Sequence, residues 1–265
     1  MERESIQKQP SQTAAKALFI LESFSASSPE WGIRDLSREL SINPTTVHRL
    51  VATLHNAGYL QQDPETQRYS LGPKVMKLAA LYAHQNPLPS AALEVFERYA
   101  ETCDYNFYLG TLSKYEVVYL AKLDGRGPIK IVVEPGGTTA LHTTALGKVL
   151  LANQSDAYIQ GFIDRGSLTT YTQRSITAPE VLWEQINEIR QRGYAINDGE
   201  HYEDVGAVGV PVYDSDGSVS LGISLAYLRH LAEDGRVKVE DVVPFAREIA
   251  SEIALRAGPF INSHL

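Results

Sequence analysis

Cysteine, long apolar runs and surplus basic charge are scarce or missing in this 265-residue chain. Its single cysteine, Cys103, excludes an internal disulfide and a multi-cysteine metal site. No apolar run approaches the roughly 20 residues that a bilayer-spanning helix needs. The first residues, MERESIQKQPSQT, are polar and lack the apolar core of a secretory signal. These absences predict a reduced, cytoplasmic protein with no membrane partner.

The net charge of −8 argues against nucleic-acid binding over the whole surface, but the charge is unevenly distributed. Residues 1–86 contain 9 basic and 8 acidic residues, a balance of +1. Residues 87–265 contain 15 basic and 24 acidic residues, a balance of −9. A nearly neutral N-terminal part on an acidic body permits local contact with phosphates, although it does not demonstrate it.

Apolar spacing in the N-terminal part predicts three helices and then a hairpin. Three- and four-residue steps predict helices over residues 11–25 and 33–40. Asn43 is a favoured N-cap and Pro44 suits the first position of a third helix, which should end at Gly58. A β-hairpin around a DPET turn and a further amphipathic helix are predicted next, at residues 59–62, 68–71 and 74–84.

The second part of the chain predicts a mixed domain with much antiparallel pairing. The NPLP segment, Asn86–Pro89, interrupts the chain and marks the domain boundary. A DSDGS turn predicts that the last two strands form a hairpin. Helices are expected near residues 90–102, 144–152, 155–163, 179–192 and 240–257. Strands are expected near residues 105–112, 115–123, 128–134, 205–213 and 218–227.

The helices at 33–57 have the spacing of a helix-turn-helix, and the hairpin after them supplies a wing. The apolar stripe of the second helix should pack inward, which leaves its hydroxyls and its arginine facing outward. Such groups at a helix start suit phosphate and base-edge contacts. The alternative interpretation is that these polar side chains only cover a solvent-exposed helix and turn and do not bind DNA. The candidate DNA-binding residues are Arg34, Asn43, Thr45, Thr46, His48, Arg49, Thr53 and Arg68.

Several motifs along the chain resemble the isocitrate-lyase-regulator (IclR) family of bacterial transcription factors. They are TTVHRLVATLHNAGYL and RYSLG, followed in the same order by LHTTALGKVLLA, EIRQRGYAINDGEH and VPVYDSDG. The resemblance covers roughly residues 14–257. It implies an α+β protein whose winged helix-turn-helix joins through a linker helix to a GAF-like effector domain, with a six-stranded antiparallel sheet flanked by helices. The winged helix-turn-helix would span residues 11–72, the linker helix residues 73–89, and the effector-binding and oligomerisation domain residues 90–260.

The resemblance also implies the partners of the protein. A homodimer or homotetramer would bind partly palindromic, double-stranded operator DNA, and a small organic or aromatic acid would control it. Residues Val75 to Tyr82 of the linker helix would pack between subunits, or else form ordinary intramolecular core. The resemblance places the effector against the start of the TTALGK helix. The implied effector-binding residues are Ile131, Leu141, Ala145, Leu146, Asn197, Asp198, Val205, Ala207 and Ser224.

The composition of that implied pocket favours a larger or aromatic acid. Some family members have Cys where Ala207 stands and Ser where Ala226 stands, so this pocket is more apolar. Exposed backbone amides from Ala145 to Gly147 are expected to hold a carboxylate, with the hydroxyl of Ser224 orienting it.

Two other functional classes and two minor sites compete with this interpretation. The TTALGK segment lacks the upstream glycine of a phosphate-binding loop, and Val149 replaces its Ser/Thr, so nucleotide binding by that route is disfavoured. Cys103 fits a buried structural thiol better than a nucleophile.

One alternative functional class is an interaction protein whose second domain serves only for oligomerisation. The enzyme alternative is a metal-dependent hydrolase fused to a DNA-binding head, with ligands among His142, Asp198, Glu200, His201 and Asp204. We expect no enzyme activity, no cofactor and no metal.

Overall fold

The computed structural model describes residues 10–25, 27–127, 131 and 133–264, with side chains as far as residue 256. The chain divides between Gln85 and Asn86 into two compact units. Within the described residues, no helix combines the length and apolar character needed to cross a membrane.

The N-terminal unit is a winged helix-turn-helix, as the sequence predicts. Its elements in chain order are α1 (Gln12–Glu22), α2 (Ile33–Glu39), α3 (Pro44–Asn56), β1 (Leu60–Gln62), β2 (Tyr69–Leu71) and α4 (Lys74–Gln85). The first helix is shorter than predicted and ends at Glu22. The Ser23 hydroxyl donates to the Phe19 carbonyl at 2.8 Å, and the Trp31 indole N–H donates to the Ser23 carbonyl at 2.8 Å.

The predicted cap and apolar stripe of α3 are confirmed. The Asn43 side chain accepts a hydrogen bond from the Thr45 amide at 2.9 Å, and Pro44 occupies the first helical position. β1 and β2 pair antiparallel, with Leu60 opposite Leu71. One apolar core joins α1, α2, α3 and the wing, with fully or nearly buried side chains at Ile20, Leu36, Leu40, Val47, Val51, Leu60 and Tyr69.

The C-terminal unit is built on a six-stranded antiparallel sheet, as predicted. Its elements are α5 (Leu88–Ala100), β3 (Asn106–Ser113), β4 (Glu116–Leu123), β5 (Thr138–Thr139), α6 (Ala145–Ala152), α7 (Asp156–Asp164), α8 (Pro179–Arg192), β6 (Ala195–Asp198), β7 (Val205–Tyr213), β8 (Val219–Leu228), α9 (Arg229–Glu233) and α10 (Val239–His264). The strand order is β5-β4-β3-β8-β7-β6.

Alternating side chains of this sheet pack into two separate hydrophobic cores, one on each face. On β7, Val208, Val210 and Val212 pack with α5 and α10. Ala207, which points to the opposite face, packs with α6, α7 and α8. This period-2 alternation is the reason that one strand can serve both layers.

The structure departs from the predicted elements mainly at the sheet edges. The short strands β5 and β6 and the one-turn helix α9 were not predicted, because two to five residues carry little periodicity. The predicted strand at 128–134 falls partly outside the described residues, since 128–130 and 132 are not described. Ile131 and Val133 are described, and neither belongs to a strand. Helix α10 continues to His264, beyond the predicted end at residue 257.

Glycines let α6 lie unusually close to the sheet. A Cβ on Gly209 of β7 would stand 2.4 Å from the Ala145 carbonyl oxygen. Cβ atoms on Gly110 of β3 and Gly222 of β8 would stand 2.9 Å and 3.0 Å from the methyl groups of Leu146. The first turn of α6 is therefore seated directly on the central strands, which determines where the site below is formed.

Candidate DNA-binding surface and effector cavity

The outward face of α3 carries the residues predicted to read DNA. Thr45, His48, Arg49 and Thr53 are exposed and Thr46 is partly exposed, while Val47, Leu50 and Val51 are buried beneath them. The structure thus brings the predicted hydroxyls, imidazole and guanidinium onto one face of one helix. A helix of this kind fits the major groove with its N-terminal residues towards the base edges.

Three of the predicted DNA contacts have partners inside the protein. The Asn43 side chain caps α3, and the Thr53 hydroxyl donates to the Arg49 carbonyl at 2.9 Å. The guanidinium of Arg68 lies 3.2 Å from Asp35 and donates to the Glu30 carbonyl at 3.0 Å. Arg68 therefore fastens the wing to α2, a role that the sequence did not indicate.

Arg34 lies exposed in the first turn of α2, and the wing tip has its own hydrogen bonds. The amide of Gln62 donates to the Gln67 side-chain oxygen at 3.0 Å. The Asp63 carboxylate accepts from the backbone amides of Thr66 and Glu65 at 2.7 and 2.8 Å, which lowers the pKa of that carboxyl. The hairpin is thus pre-ordered before it meets a partner.

A small cavity of about 40 Å³ lies between the first turn of α6 and strands β3, β4, β6, β7 and β8. Seven of the nine predicted effector residues line it, at Ile131, Ala145, Leu146, Asn197, Val205, Ala207 and Ser224. Tyr202 is 48% exposed and also lines the cavity, so its side chain lies at the mouth. The volume is well below the roughly 300–1,000 Å³ of typical ligand pockets.

The other two predicted effector residues lie outside the cavity. Leu141 is fully buried in the apolar cluster around α6. Asp198 is exposed and pairs with Arg174 at 2.8 Å. Adjacent side chains of β6 point to opposite faces, so Asn197 turns into the cavity and Asp198 turns away from it.

Five lining residues were not predicted from the sequence to line the pocket, whereas Ala226, already named as a pocket position, does line it. Tyr108 and Tyr119 are presented by β3 and β4, and the register places Tyr108 opposite Ser224. A buried tyrosine within a strand resembles any core aromatic, so only the long-range pairing identifies its role. The remaining three are Thr144 and His201, which lie within recognised motifs, and Tyr202, which directly follows one.

The cavity is mostly apolar, with several neutral polar groups and no charged side chain among its described residues. Among the described residues, no Asp, Glu, Lys or Arg lines it. Burial raises the pKa of Tyr119 to about 12 and lowers the pKa of His201 to about 4, so both side chains are neutral near pH 7. The His201 Nδ1 atom lies 2.9 Å from the Thr143 hydroxyl. The site therefore offers hydrogen bonds and apolar surface, and no countercharge.

The hydroxyl of Tyr108 is the unsatisfied polar group of this cavity. Its side chain is 3% exposed, and within the described part of the chain the hydroxyl has no hydrogen-bond partner. Burial raises the pKa of Tyr108 well above its usual value, and the Asn106 side chain offsets part of that shift without completing a hydrogen bond to the hydroxyl. A buried polar group without a partner is costly, so the Tyr108 hydroxyl is an unused hydrogen-bonding group in the cavity wall.

The start of α6 is less open than the sequence analysis expected. The Thr144 hydroxyl accepts from the Gly147 amide at 3.0 Å, so this third amide is capped. The amides of Ala145 and Leu146 occupy the first two helical positions, where no intrahelical acceptor is available. Two backbone donors rather than three are thus left without an intrahelical acceptor at this helix end.

The alternative metal site does not assemble. Glu200 is occupied by Lys148, whose Nζ lies 2.6 and 2.7 Å from the two carboxylate oxygens, and His142 Nε2 lies 2.9 Å from the Thr169 carbonyl. Over the described ranges, no three His, Cys, Asp or Glu side chains are grouped as metal ligands.

The buried ion pair with Glu200 also keeps Lys148 from acting as a phosphate-binding lysine. Burial raises the pKa of the half-buried Cys103 thiol, as expected for a structural cysteine.

Comparison with known proteins agrees with this architecture. The family model "Bacterial transcriptional regulator IclR C-terminal" matches residues 80–255, and "IclR helix-turn-helix domain" matches residues 13–64. The HTH-type transcriptional regulator KdgR of Dickeya chrysanthemi is 30% identical over 235 residues, which cover 87% of this chain and 76% of that protein.

Solved structures give the same result. An IclR transcriptional regulator from Silicibacter has a TM-score of 0.82 at 27% identity, covering 93% of this chain and 96% of its own. An IclR homologue from Microbacterium hydrocarbonoxydans, solved with 4-hydroxybenzoate, has a TM-score of 0.77 at 23% identity, covering 92% and 99%. With both of its units matched, this chain belongs to the IclR family of DNA-binding transcriptional regulators.

Proposed function

We propose that this regulator binds a partly palindromic operator through α3 and its wing, as a homodimer or homotetramer in the cytoplasm, and that a small organic or aromatic acid in the α6 cavity changes its affinity for that operator. The observation that carries the proposal is the unpartnered Tyr108 hydroxyl in an uncharged cavity beside the start of α6. An effector can regulate only if it binds the two DNA-affinity states differently.

The assembly proposal is supported by the exposed apolar side chains of α4. Met76, Leu78, Leu81 and Tyr82 are 46–70% exposed, and the helix has no buried residue. Large apolar side chains clustered on one exposed helix are typical of an interface. Analytical ultracentrifugation should find a dimer or tetramer, and Leu78→Glu with Leu81→Glu should shift it towards monomer. A monomeric native protein would contradict this assignment.

Among the α3 side chains, Arg49 should contribute most to sequence readout. Arg49→Ala is expected to weaken operator binding by about 1–3 kcal/mol if the guanidinium makes a bidentate contact with a base. Fluorescence anisotropy on operator DNA measures the loss. Arg38→Ala is the matched control, because Arg38 is also an exposed arginine of the same unit but pairs with Asp35 on α2.

The Arg49→Ala measurement distinguishes three possible roles of the Arg49 side chain. A loss on the operator and not on scrambled DNA supports base readout by Arg49. An equal loss on both sequences would reassign Arg49 to a phosphate contact, whose contribution falls as salt rises. An unchanged affinity would remove Arg49 from the interface.

The effector proposal favours an aromatic or larger acid with a second polar group. A carboxylate would meet the Ala145 and Leu146 amides at the positive end of α6, and a hydroxyl farther along the molecule would satisfy Tyr108. The 4-hydroxybenzoate bound by the Microbacterium homologue is a molecule of this class. Because the cavity is only about 40 Å³, such a ligand requires outward movement of the Tyr202 side chain at the mouth.

Replacing Tyr108 with phenylalanine should affect ligand binding and not stability. Loss of a hydroxyl that has no partner leaves folding unchanged or slightly improved. The affinity for 4-hydroxybenzoate should fall by about 1 kcal/mol, which is the net value of one hydrogen bond. Tyr227→Phe is the control, since Tyr227 is buried in the opposite core of the same unit. Equal ligand affinities for Tyr108→Phe and the native protein would remove Tyr108 from the site.

The function as a whole is tested by anisotropy on the intergenic DNA upstream of the gene that encodes this chain. Native and scrambled fragments are compared over a salt series, with and without benzoate, 4-hydroxybenzoate, pyruvate and glyoxylate. Preference for the native fragment, changed by an aromatic acid, supports the proposal. Sequence-blind binding that disappears with modest salt would reduce it to phosphate contact alone.

A further inference from the structure

A buried ion pair joins two elements that line the cavity and takes no part in the proposed ligand contacts. The side chains of Lys148 and Glu200 are 1% and 8% exposed, and Lys148 Nζ also donates to Gln185 Oε1 on α8 at 2.8 Å. Burial lowers the pKa of Lys148 and raises the pKa of Glu200, and the opposite charges counter both shifts. A buried pair of this kind rarely adds net stability compared with apolar side chains of similar size.

The two members of the pair belong to the two walls of the cavity. Lys148 lies one turn beyond Ala145 on α6, whose first turn forms one wall. Glu200 follows β6 and precedes two lining residues, His201 and Tyr202. The Lys148–Glu200 contact is therefore a direct bridge between α6 and the turn that follows β6.

The base of that turn has additional anchors besides the ion pair. The Glu200 amide donates to the Asn197 side chain at 2.9 Å. The Thr172 and Ser175 hydroxyls donate to the carbonyls of Gly199 and Glu200, each at 2.7 Å. Two residues farther on, the side chain of Tyr202 is half exposed at the mouth of the cavity. Exposed side chains change rotamer readily, so Tyr202 can turn outward while the anchored base of the turn keeps its place.

We propose that Lys148 and Glu200 are positioning residues that hold the turn after β6 against α6 and so determine the width of the cavity. This inference rests on the proposed function in so far as the cavity is the effector site. The pair touches no ligand. It fixes the distance between the donors on α6 and those on the turn, which an effector must bridge.

The test replaces both charges together, because either single substitution leaves a buried charge unpaired. The double variant Lys148→Met with Glu200→Leu keeps the side-chain volumes and removes the bridge. Glu203→Gln is the matched control, since Glu203 is an exposed carboxylate in the same turn. The reporters are the amides of Gly199 and Val205, which donate to the Val205 and Tyr202 carbonyls at 3.1 Å.

Hydrogen–deuterium exchange of the full-length protein without ligand is the primary measurement. The double variant should exchange the amides of residues 199–205 about tenfold faster or more, with β8 and α10 unchanged and the melting temperature near that of the native protein. Unchanged exchange in 199–205 would overturn the proposal. Faster exchange throughout the C-terminal unit would also overturn it, because the pair would then be only a structural element.

Binding of 4-hydroxybenzoate to the native and double-variant proteins provides the second measurement. We expect the double variant to bind it at least about fivefold more weakly, since loosening the wall adds an ordering cost to binding. Equal affinities would overturn the positioning role. If the native protein responds to no acid at all, the proposed function fails, whereas the exchange result still decides whether the pair positions the turn.

Discussion

Replacing Lys148 alone with methionine should lower the free energy of unfolding of the C-terminal unit by about 3–5 kcal/mol. The substitution leaves the Glu200 carboxylate 8% exposed with its countercharge removed. The remaining donor to Glu200 is the protein backbone, and desolvation of an unpaired carboxylate is far more costly than the loss of one surface contact. Protonation of Glu200 would relieve part of this cost, so the loss should be smaller at lower pH.

Urea denaturation followed by tryptophan fluorescence measures this change in the correct unit. The two tryptophans lie one in each unit, at Trp31 and Trp183, so a Trp31→Phe background makes Trp183 the reporter of the C-terminal unit. Asp156→Asn is the control, because it breaks the exposed ion pair with Arg190 and should cost less than about 1 kcal/mol. A loss for Lys148→Met no greater than the control would show that Glu200 reaches solvent or another partner.

The helix-turn-helix was predictable because its signals are local. The Asn43 cap, Pro44 at the first helical position and the buried stripe of α3 all follow from residues within a few positions of each other. The role of Arg68 was not predictable from the same segment. Its partner Asp35 lies 33 residues earlier in the chain, and only the folded wing brings the two charges to 3.2 Å.

The cavity was predictable only in part, for a similar reason. Resemblance placed Ala145, Leu146 and Ser224 on its wall, but the phase of β6 was needed to decide between Asn197 and Asp198. Tyr108 depends on the register between β3 and β8, which joins residues more than 100 positions apart. The number of free amides at the start of α6 was overestimated. Thr144 is the N-cap residue of this helix, and its hydroxyl already accepts a hydrogen bond from the Gly147 amide.

Adding one methyl group at position 209 should destabilise the C-terminal unit nearly as much as the loss of Lys148. The Cβ atom of Gly209→Ala would lie 2.4 Å from the Ala145 carbonyl oxygen and 2.6 Å from its carbonyl carbon. Both atoms belong to backbone, so relief requires α6 to move away from the sheet. Overpacking typically costs about 1–3 kcal/mol, and we expect at least about 3 kcal/mol where backbone must shift.

Gly222→Ala on the neighbouring strand β8 is the control that separates backbone overlap from simple crowding. Its Cβ would meet only side-chain methyl groups, the nearest being that of Leu146 at 3.0 Å, and those can turn aside. We expect a loss of about 1 kcal/mol for Gly222→Ala in the same Trp183 assay. Equal losses for the two variants would mean that α6 is free to move from β7. The first turn of α6 forms a wall of the cavity. A Gly209→Ala protein that still folds should therefore also bind 4-hydroxybenzoate more weakly. Gly222→Ala should bind it almost as tightly as the native protein does.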